Sequence, residues 1–184
     1  MGGTFDPIHI AHLALAEAAK ERFNLDLVLF ILSANPPHKS EAKITSAEER
    51  YNMVKLAVKD NPSFEACDIE IRRKGPSYTV LTIAELKERY KGAELYLIIG
   101  MDEAEAFTHW REYDTILKNS IVASAWRPGS HRPEDSSLPI IYFDAPAMDI
   151  SSSSIREMIS QGKSVRYLVA DSVFDYIKEK GLYS

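Results

Sequence analysis

Residues 1–12 read MGGTFDPIHIAH, and the rest of the chain is best interpreted outward from this stretch. Gly2 and Gly3 can adopt backbone angles that are closed to other residues and let a ligand approach the main chain, as a phosphate-binding turn requires. His9 and His12 are three residues apart, so both imidazoles lie on one face of a first helical turn. Free backbone N–H groups, a positive helix end and two imidazole donors suit one anion. The stretch predicts a nucleotide triphosphate site.

Two other interpretations of the same stretch compete with phosphate binding. The first is a tight loop with two solvent-exposed histidines, because a single histidine is more often structural than catalytic. The second is a zinc site, but the sequence holds no cysteine pair or HExxH arrangement that would complete one. The joint spacing of His9 and His12 beside a Gly-Gly turn favours phosphate binding.

The length and composition are those of one ordinary globular domain spanning residues 1–184. The chain is 45% hydrophobic and 27% charged, with enough residues for a substantial core. Its 22 basic and 27 acidic residues give a net charge of −5, which argues against a nucleic-acid partner held by a broad basic surface. An anionic ligand must therefore be met by local positive groups, such as those near His38 and Lys39.

The sequence favours a reducing cytoplasm and no membrane. Cys67 is the only cysteine, so no disulfide can form within the chain. No apolar run approaches the roughly 20 residues that span a bilayer, and the N-terminus lacks a signal-peptide pattern. A homo-oligomer is compatible with these features but is not indicated by any of them.

Apolar periodicity divides the chain into alternating helices and strands. The predicted helices cover residues 10–23, 47 to about 60, 78–90, one or two segments within 102–119, a segment from about 152 to 162, and 171–180. Thr45-Ser46, Ser77 and Asp171 are predicted to cap the second, the third and the last of the listed helices. The predicted strands cover residues 26–33, 64–72, 94–100, 120–126 and 138–143. Residues 64–72 alternate apolar and polar side chains, which predicts a strand with one exposed face near a sheet edge. Strands joined through helices pair in parallel, which predicts an α/β fold with a doubly wound, mostly parallel sheet. Ligands bind such sheets at the carboxyl ends of the strands, so the loops after Ser33, Gly100 and Trp126 and the segment before Ser151 should meet at one site.

A second anion clamp is predicted where residues 150–156 read ISSSSIR. Serines at a helix start can simply cap it, but four exceed the need of one cap. Arg156 lies about one turn into the helix, and its planar guanidinium suits the β- and γ-phosphate oxygens of a nucleotide. A surface arginine is the alternative.

At this point the sequence resembles a known family. GGTFDPIHIAH is similar to the opening motif of the HxGH nucleotidyltransferase superfamily, and its GGTFDP form resembles bacterial nicotinate-nucleotide adenylyltransferases. Further motifs follow in the family's order: PPHK at 36–39, SYT at 77–79, IIGMD at 98–102, Trp110, RPG at 127–129 and ISSSSIR at 150–156. The resemblance covers essentially the whole chain and implies a Rossmann-like fold.

The resemblance implies adenylyl transfer from ATP to nicotinate mononucleotide, giving nicotinate adenine dinucleotide and pyrophosphate in NAD biosynthesis. It places four residues in catalysis: His9, His12, Lys39 and Arg156. It implies ATP contacts from Gly3, Thr4, Phe5, His9, His12, Gly100, Asp102, Ile150, Ser151, Ser152 and Arg156. It implies contacts to the nicotinate nucleotide from Thr4, Lys39, Tyr78, Thr79, Asp102, Trp110 and Arg127.

Alternatives remain open at this stage. The acceptor could be nicotinamide mononucleotide or phosphopantetheine, or the chain could bind a nucleotide without turnover. Core packing is the alternative role of Tyr78 and Trp110, and a buried salt bridge that of Asp102. Mg²⁺ is expected to arrive with ATP, since magnesium keeps several waters and takes few protein ligands, so no dedicated metal residues are predicted.

The sequence departs from the family pattern at two places. Ala11 stands where HxGH has glycine, which is compatible with the fold. Only Met1 precedes the glycine turn, where the family has an apolar first strand. We therefore expect the first strand to be absent, with a gap or irregular replacement beside residues 27–32 and weak ordering of residues 1–8. The sequence leaves open whether the native start lies upstream.

Overall fold

The structure is a computed structural model that describes residues 1–36, 44–126 and 138–184. The strands are β1 (Gly2–Gly3), β2 (Val28–Leu32), β3 (Phe64–Cys67), β4 (Tyr96–Ile99), β5 (Ile121–Trp126) and β6 (Ile140–Asp144). The helices are α1 (Ile10–Phe23), α2 (Ala47–Val58), α3 (Ile69–Arg73), α4 (Thr79–Arg89), α5 (Met101–Glu105), α6 (Tyr113–Asn119), α7 (Ser152–Ser160) and α8 (Asp171–Lys180). A short 3₁₀ helix, Phe107–His109, separates α5 from α6.

The strands form two parallel sheets of three, in the orders β1-β2-β3 and β4-β5-β6. Val28 is paired with Phe64 across β2 and β3, and Val122 with Ile140 across β5 and β6. Helices lie along the chain between β1 and β2, between β2 and β3, and between β4 and β5, as parallel pairing requires. The predicted α/β class with parallel strands is confirmed, and β3 lies at a sheet edge as its alternating pattern predicts.

One apolar core joins the two sheets. Phe30 and Leu32 of β2 belong to the same buried cluster as Ile98 of β4 and Phe143 of β6. A second cluster, around Phe107, packs α4 and α6 against the outer side of the β4-β5-β6 sheet. The carboxyl ends of the strands in both sheets are therefore held on one side of the molecule.

The expectation that the first strand is absent needs correction. Gly2 and Gly3 form a two-residue strand paired in parallel with Ile31 and Leu32. Weak ordering of residues 1–8 is also wrong, because residues 5–9 are buried in the described structure. The predicted gap is present in part: β1 covers only the second half of β2, and no pairing between β1 and β4 is found within the described ranges.

Residues 69–72 are not the second half of a strand, as the alternating pattern predicted. They form α3, in which Arg72 pairs with Asp68 at 2.5 Å and Arg73 lies 3.7 Å from Glu70. Glu70 is buried and accepts a hydrogen bond from the Thr82 hydroxyl at 2.5 Å. Tertiary contacts to α4 therefore override the period of two.

Helix starts agree with the predicted caps at some places and differ at others. The Ser46 hydroxyl accepts from the N–H of Glu49 at 3.2 Å, which is the predicted cap of α2. Ser77 was expected to cap α4, but its hydroxyl instead accepts from the N–H of Asn35 at 3.0 Å. Asp171 is the first residue of α8 rather than its cap. In the described ranges, no helix has both the length and the apolar character to cross a membrane.

Candidate active site

A cleft of about 900 Å³ opens where the carboxyl ends of both sheets meet. Ser33, Gly100, Trp126 and Ile150 all line it, so the four segments predicted to converge do converge. Predicted residues from the amino-terminal turn reach the cleft: Gly3, Thr4, Phe5, His9 and His12. So do Thr79, Asp102, Trp110, Ser151, Ser152 and Arg156 from the rest of the chain.

The two histidines of the opening stretch stack on each other at the start of α1. Their ring centroids are 3.6 Å apart with an interplanar angle of 22°. The backbone N–H of His9, the cap residue of α1, donates to Nδ1 of His12 at 3.2 Å. Nδ1 of His12 is therefore an acceptor, which places the proton of its neutral ring on Nε2.

Burial keeps both imidazoles neutral. It lowers the pKa of His9 from its usual 6.5 to about 4. Burial and then the neighbouring His9 lower the pKa of His12 to about 3. At pH 7 the pair thus offers N–H donors without a fixed positive charge. Nδ1 of His9 has no hydrogen-bond partner among the described residues.

The turn that leads into α1 is closely packed, and its unusual backbone angle does not fall on a glycine. Gly2 and Gly3 are extended, and the positive φ of the turn falls on Phe5, at 48°. Gly3 is required for a different reason from the one predicted: a Cβ there would lie 2.8 Å from the Phe5 ring. That ring is buried and meets His12 edge to face at 5.1 Å.

Hydrogen bonds join the start of α7 to this turn. An Nη1 hydrogen of Arg156 donates to the carbonyl of Asp6 at 2.7 Å, and the Ser152 hydroxyl donates to the carbonyl of Pro7 at 2.9 Å. Nη2 of Arg156 also donates to the Ser153 hydroxyl at 3.2 Å. Within the described residues these contacts use two of the five guanidinium N–H groups, so the others can meet an anion.

All four serines of residues 151–154 have hydrogen-bond partners within the chain. Ser151 and Ser154 cap α7 reciprocally, since Ser151 Oγ accepts from the Ser154 N–H at 3.1 Å. Ser152 bonds to Pro7 and Ser153 to Arg156, as described above. The argument that four serines exceed structural need is therefore wrong, although the run still lines the cleft.

The other end of the cleft holds residues predicted to bind a pyridine ring. Thr79 begins α4, Asp102 lies in the first turn of α5, and Trp110 follows the 3₁₀ helix with its ring 5.3 Å from that of Phe107. Tyr78 differs from the prediction. Its ring lies under the guanidinium of Arg111, 4.7 Å away, and packs with the second apolar cluster instead of lining the cleft.

The predicted site residues Lys39 and Arg127 lie outside the described residues, as does His38 beside Lys39. Their placement relative to the cleft stays a prediction. Among the residues that the structure describes, no group of three or more His, Cys, Asp or Glu side chains is placed to hold a metal ion.

Sequence reasoning missed Arg50, which is 2% exposed. It donates to the carbonyls of Thr4 at 2.7 Å and Ser33 at 2.8 Å, and so joins the opening turn to the end of β2. Burial lowers its pKa, while nearby Asp6 raises it. A signal for its burial was available in the sequence. Arg50 precedes Met53 by three residues and Val54 by four, and this spacing places it on the same, buried face of α2.

Sequence reasoning also missed Glu70, whose carboxylate lines the cleft. Its Oε1 is bonded to Thr82, but its Oε2 is buried with no hydrogen-bond partner in the described part of the chain. A carboxylate in the alternating pattern of residues 64–72 reads as surface-facing, so only the tertiary structure reveals it.

Comparison with known proteins places this geometry in a family. A family model described as cytidylyltransferase-like matches residues 1–158. A probable nicotinate-nucleotide adenylyltransferase of Desulfitobacterium hafniense strain Y51 is 47% identical over 100% of the chain and 93% of its own length. One from Moorella thermoacetica is 43% identical over 100% of the chain and 89% of its own length. The chain belongs to the nicotinate-nucleotide adenylyltransferase family. The resemblance inferred from the motifs is thereby confirmed.

Solved structures of this family share the fold. A Plasmodium falciparum nicotinic acid mononucleotide adenylyltransferase complexed with NaAD aligns with a TM-score of 0.81 at 19% identity, over 99% of this chain and 94% of that one. A Vibrio parahaemolyticus protein described as a putative nicotinate-nucleotide adenylyltransferase aligns with a TM-score of 0.73 at 18% identity, over 99% and 91%. At these identities the alignments establish the Rossmann-like architecture of the family member described here.

Proposed function

We propose that the chain transfers the adenylyl group of ATP to nicotinate mononucleotide, releasing pyrophosphate and forming nicotinate adenine dinucleotide. The names of relatives up to 47% identical support this reaction, as does the complex of the Plasmodium protein with NaAD. The observation that carries the proposal is the stacked pair His9 and His12, held with Arg156 on one turn. This anion clamp opens into the same cleft as Thr79 and Trp110.

The reaction is one displacement at phosphorus. A 5′-phosphate oxygen of the mononucleotide forms a bond to the α-phosphorus of ATP, and the bond from that phosphorus to the bridging oxygen of the β-phosphate breaks. The electron pair leaves with pyrophosphate. No covalent intermediate with the protein forms, so the protein acts by positioning the reactants and stabilising negative charge.

The amino-terminal turn supplies donors for that charge. Because His9 and His12 are neutral in the free site, their N–H groups bind phosphate oxygens, and the approaching anion favours protonation of the rings. His12 is assigned to the α-phosphate, where negative charge grows at the transition state. Arg156 is assigned to the β- and γ-phosphates through its remaining donors. Lys39 is assigned to the same phosphates.

The nucleoside parts extend from this clamp in two directions. Gly100, Ile150, Ser151 and Ser152 are assigned to the ATP side, together with the backbone of Gly3, Thr4 and Phe5. The pyridine ring is placed against Trp110 with its carboxylate near Thr79. Asp102 lies at the exposed start of α5 and can accept hydrogen bonds from ribose hydroxyls. Arg127 is assigned to the mononucleotide.

Mg²⁺ is proposed to enter with ATP. Imidazole and guanidinium groups lie at the phosphate end of the cleft, and these are respectively a poor and an impossible ligand for a hard cation. They suit a triphosphate whose own oxygens and waters hold Mg²⁺, where the ion neutralises charge on the leaving pyrophosphate. A cytoplasmic location, where ATP is abundant and Cys67 stays reduced, is part of the same proposal.

Nicotinamide mononucleotide is the second candidate acceptor, because Glu70 lines the cleft. Its Oε2, which has no hydrogen-bond partner among the described residues, suits a carboxamide N–H as a donor, whereas a carboxylate brought close to it would be repelled. Arg73, 3.7 Å from Oε1, offsets this repulsion and favours the carboxylate acceptor.

The test is pyrophosphate release from ATP and Mg²⁺ with each of three acceptors in parallel: nicotinate mononucleotide, nicotinamide mononucleotide and phosphopantetheine. We expect the highest kcat/KM with nicotinate mononucleotide. A higher value with nicotinamide mononucleotide would assign the acceptor to the second candidate. Release with phosphopantetheine alone, or ATP binding without release from any acceptor, would reject the proposed reaction.

A further inference from the structure

We propose that Tyr183, the second-last residue, is a positioning residue for the ATP-binding turn and acts through the carboxylate of Asp6. This inference rests on the proposed function, since the turn is argued above to hold ATP. Tyr183 lies 177 positions from Asp6 in sequence, and its hydroxyl donates to Asp6 Oδ1 at 2.8 Å.

Asp6 joins three separate parts of the chain at the centre of the turn. It is 5% exposed. Its Oδ1 accepts from Tyr183, and its Oδ2 accepts from the backbone N–H of Thr45 at 3.4 Å. Its carbonyl accepts from Arg156 at 2.7 Å. A displacement of Asp6 therefore moves the carbonyl that orients Arg156, the proposed ligand of the β- and γ-phosphates.

The buried charge of Asp6 makes its donors important. Arg50 provides a compensating charge near Asp6 and contacts both sides of the same turn, donating to the carbonyl of Thr4 at 2.7 Å and that of Thr45 at 2.8 Å. No ion pair joins Arg50 directly to Asp6 among the described contacts, so the carboxylate depends on neutral donors. A buried carboxylate oxygen that loses its donor bears a large desolvation cost, which the turn can relieve only by moving.

The end of the chain holds Tyr183 in a definite conformation. Its φ is 69°, in the left-handed region that a bulky side chain rarely adopts. The N–H of Leu182 donates to the carbonyl of Ile177 at 3.0 Å, which anchors the segment to α8. Burial raises the pKa of the Tyr183 phenol, so the hydroxyl stays protonated and remains a donor. The same hydroxyl also lies 3.9 Å from Met53 Sδ, and a side chain kept in a costly backbone conformation for these contacts is consistent with a positioning role.

The experiment compares Tyr183→Phe with Tyr176→Phe. Each variant loses one phenolic hydroxyl from the carboxy-terminal region, but the Tyr176 hydroxyl bonds to Glu49 and Asn52 of α2 rather than to the turn. For each we would measure the KM for ATP, the KM for the mononucleotide, kcat and the melting temperature. Calorimetry would give the ATP dissociation constant independently of turnover.

We expect Tyr183→Phe to raise the KM and the dissociation constant for ATP by about fivefold to tenfold. Only part of the free energy lost with the hydrogen bond to the Asp6 carboxylate is expected to weaken phosphate binding. The KM for the mononucleotide and the parameters of Tyr176→Phe should stay within about twofold of the parent. In an Asp6→Ala background, Tyr183→Phe should have no further effect on ATP binding.

Unchanged ATP affinity in Tyr183→Phe would overturn the inference. An equal loss of affinity in Tyr176→Phe would also overturn it, because the effect would then come from docking of the carboxy-terminal region in general. If the parent chain binds ATP but releases no pyrophosphate, the proposed reaction fails, while calorimetry on the variants still decides the role of Tyr183. If Asp6→Ala does not fold, the comparison of the two phenylalanine variants decides it alone.

Discussion

His12 has a structural role in the site and a chemical role in the proposed reaction, and the two use different ring nitrogens. Nδ1 accepts from the N–H of His9 and completes the start of α1. Nε2 then carries the proton and, in the proposed reaction, donates it in a hydrogen bond to a phosphate oxygen. A substitution that removes the whole ring mixes the two roles, so it cannot by itself assign His12 to catalysis.

We predict that His12→Asn lowers kcat by about a hundredfold or more, the typical cost of losing one preorganised donor to a developing oxyanion. The asparagine carbonyl can still accept from His9, so the melting temperature should stay close to that of the parent. His12→Ala should lose both roles, with a similar fall in kcat and about 1 kcal/mol of additional destabilisation from the lost cap. Near-normal turnover of His12→Asn would remove His12 from the mechanism.

The depressed pKa values of the two histidines predict how stability depends on pH. In the unfolded chain both rings bind protons near pH 6.5, whereas in the fold they do so only at about 4 and about 3. Between these limits the unfolded state binds more protons, so the free energy of unfolding falls as pH falls from 6.5. Each ring can contribute up to about 1.4 kcal/mol per pH unit.

Urea unfolding from pH 7 to pH 5 checks this prediction above the range where most carboxylates titrate. His12→Asn, which lacks one of the two titrating rings, should lose stability less steeply than the parent over the same range. A parent whose stability is constant or rises from pH 7 to pH 5 would contradict the prediction.

At the scale of elements, local sequence signals were sufficient to predict a helix or strand whose stability comes mainly from the propensities of its own residues. α1 begins and ends at the predicted residues 10 and 23, because an alanine- and leucine-rich segment has strong helix propensity and buries small residues such as Ala16 and Ala19. The signals failed at residues 69–72, where burial of Glu70 against Thr82 decided the structure. No local pattern distinguishes such a carboxylate from a solvent-exposed one.

β1 and its turn give a prediction that separates two adjacent glycines. A Cβ at Gly3 would lie 2.8 Å from the buried Phe5 ring, whereas a Cβ at Gly2 would meet no heavy atom within 4 Å. Gly3→Ala should therefore destabilise the fold by about 1–3 kcal/mol, the usual cost of overpacking. It should also raise the KM for ATP, because Phe5 contacts His12.

Gly2→Ala is the matched control, since it makes the same chemical change one residue earlier. Thermal unfolding and ATP kinetics of both variants test whether the packing of Phe5 against Gly3 holds the turn. Equal behaviour of the two would show that the packing of Phe5 does not hold the turn.

At the scale of the whole molecule, the site was predictable where its residues cluster in sequence motifs and unpredictable where distant segments complete it. His9, His12 and Arg156 stand at helix starts and carry recognisable chemistry. The link from Asp6 to Tyr183 spans almost the entire chain, and tyrosine near a terminus carries no signal of its own. The two-residue β1 could not be predicted either, because its pairing with β2 depends on tertiary packing.

The space between the two sheets is a property of the whole molecule that local patterns do not reveal. The cleft continues between β2 and β4, where Leu29, Tyr96 and Leu97 line it. Ile121 donates to the carbonyl of Leu95, so the N–H groups of Tyr96 and Ile98 face this space rather than β5. The ammonium group of Met1 donates to the Leu29 carbonyl at 3.0 Å, and burial lowers its pKa from 8.0 to about 5.

These features predict that an apolar segment of about five β-branched residues, appended before Met1, pairs as a strand between β2 and β4. The buried amino group, which its lowered pKa already leaves uncharged at pH 7, becomes an amide that keeps its bond to Leu29, and the appended side chains cover apolar surface on both sheets. We expect the melting temperature to rise by about 5 °C or more, which for a chain of this size corresponds to about 2 kcal/mol. Hydrogen exchange at the amides of Tyr96 and Ile98 should slow in parallel.

A Gly/Ser extension of equal length is the control, because it converts the same amino group to an amide without supplying strand propensity or apolar area. If it stabilises the fold and protects those two amides as much as the apolar segment does, strand insertion is not the cause.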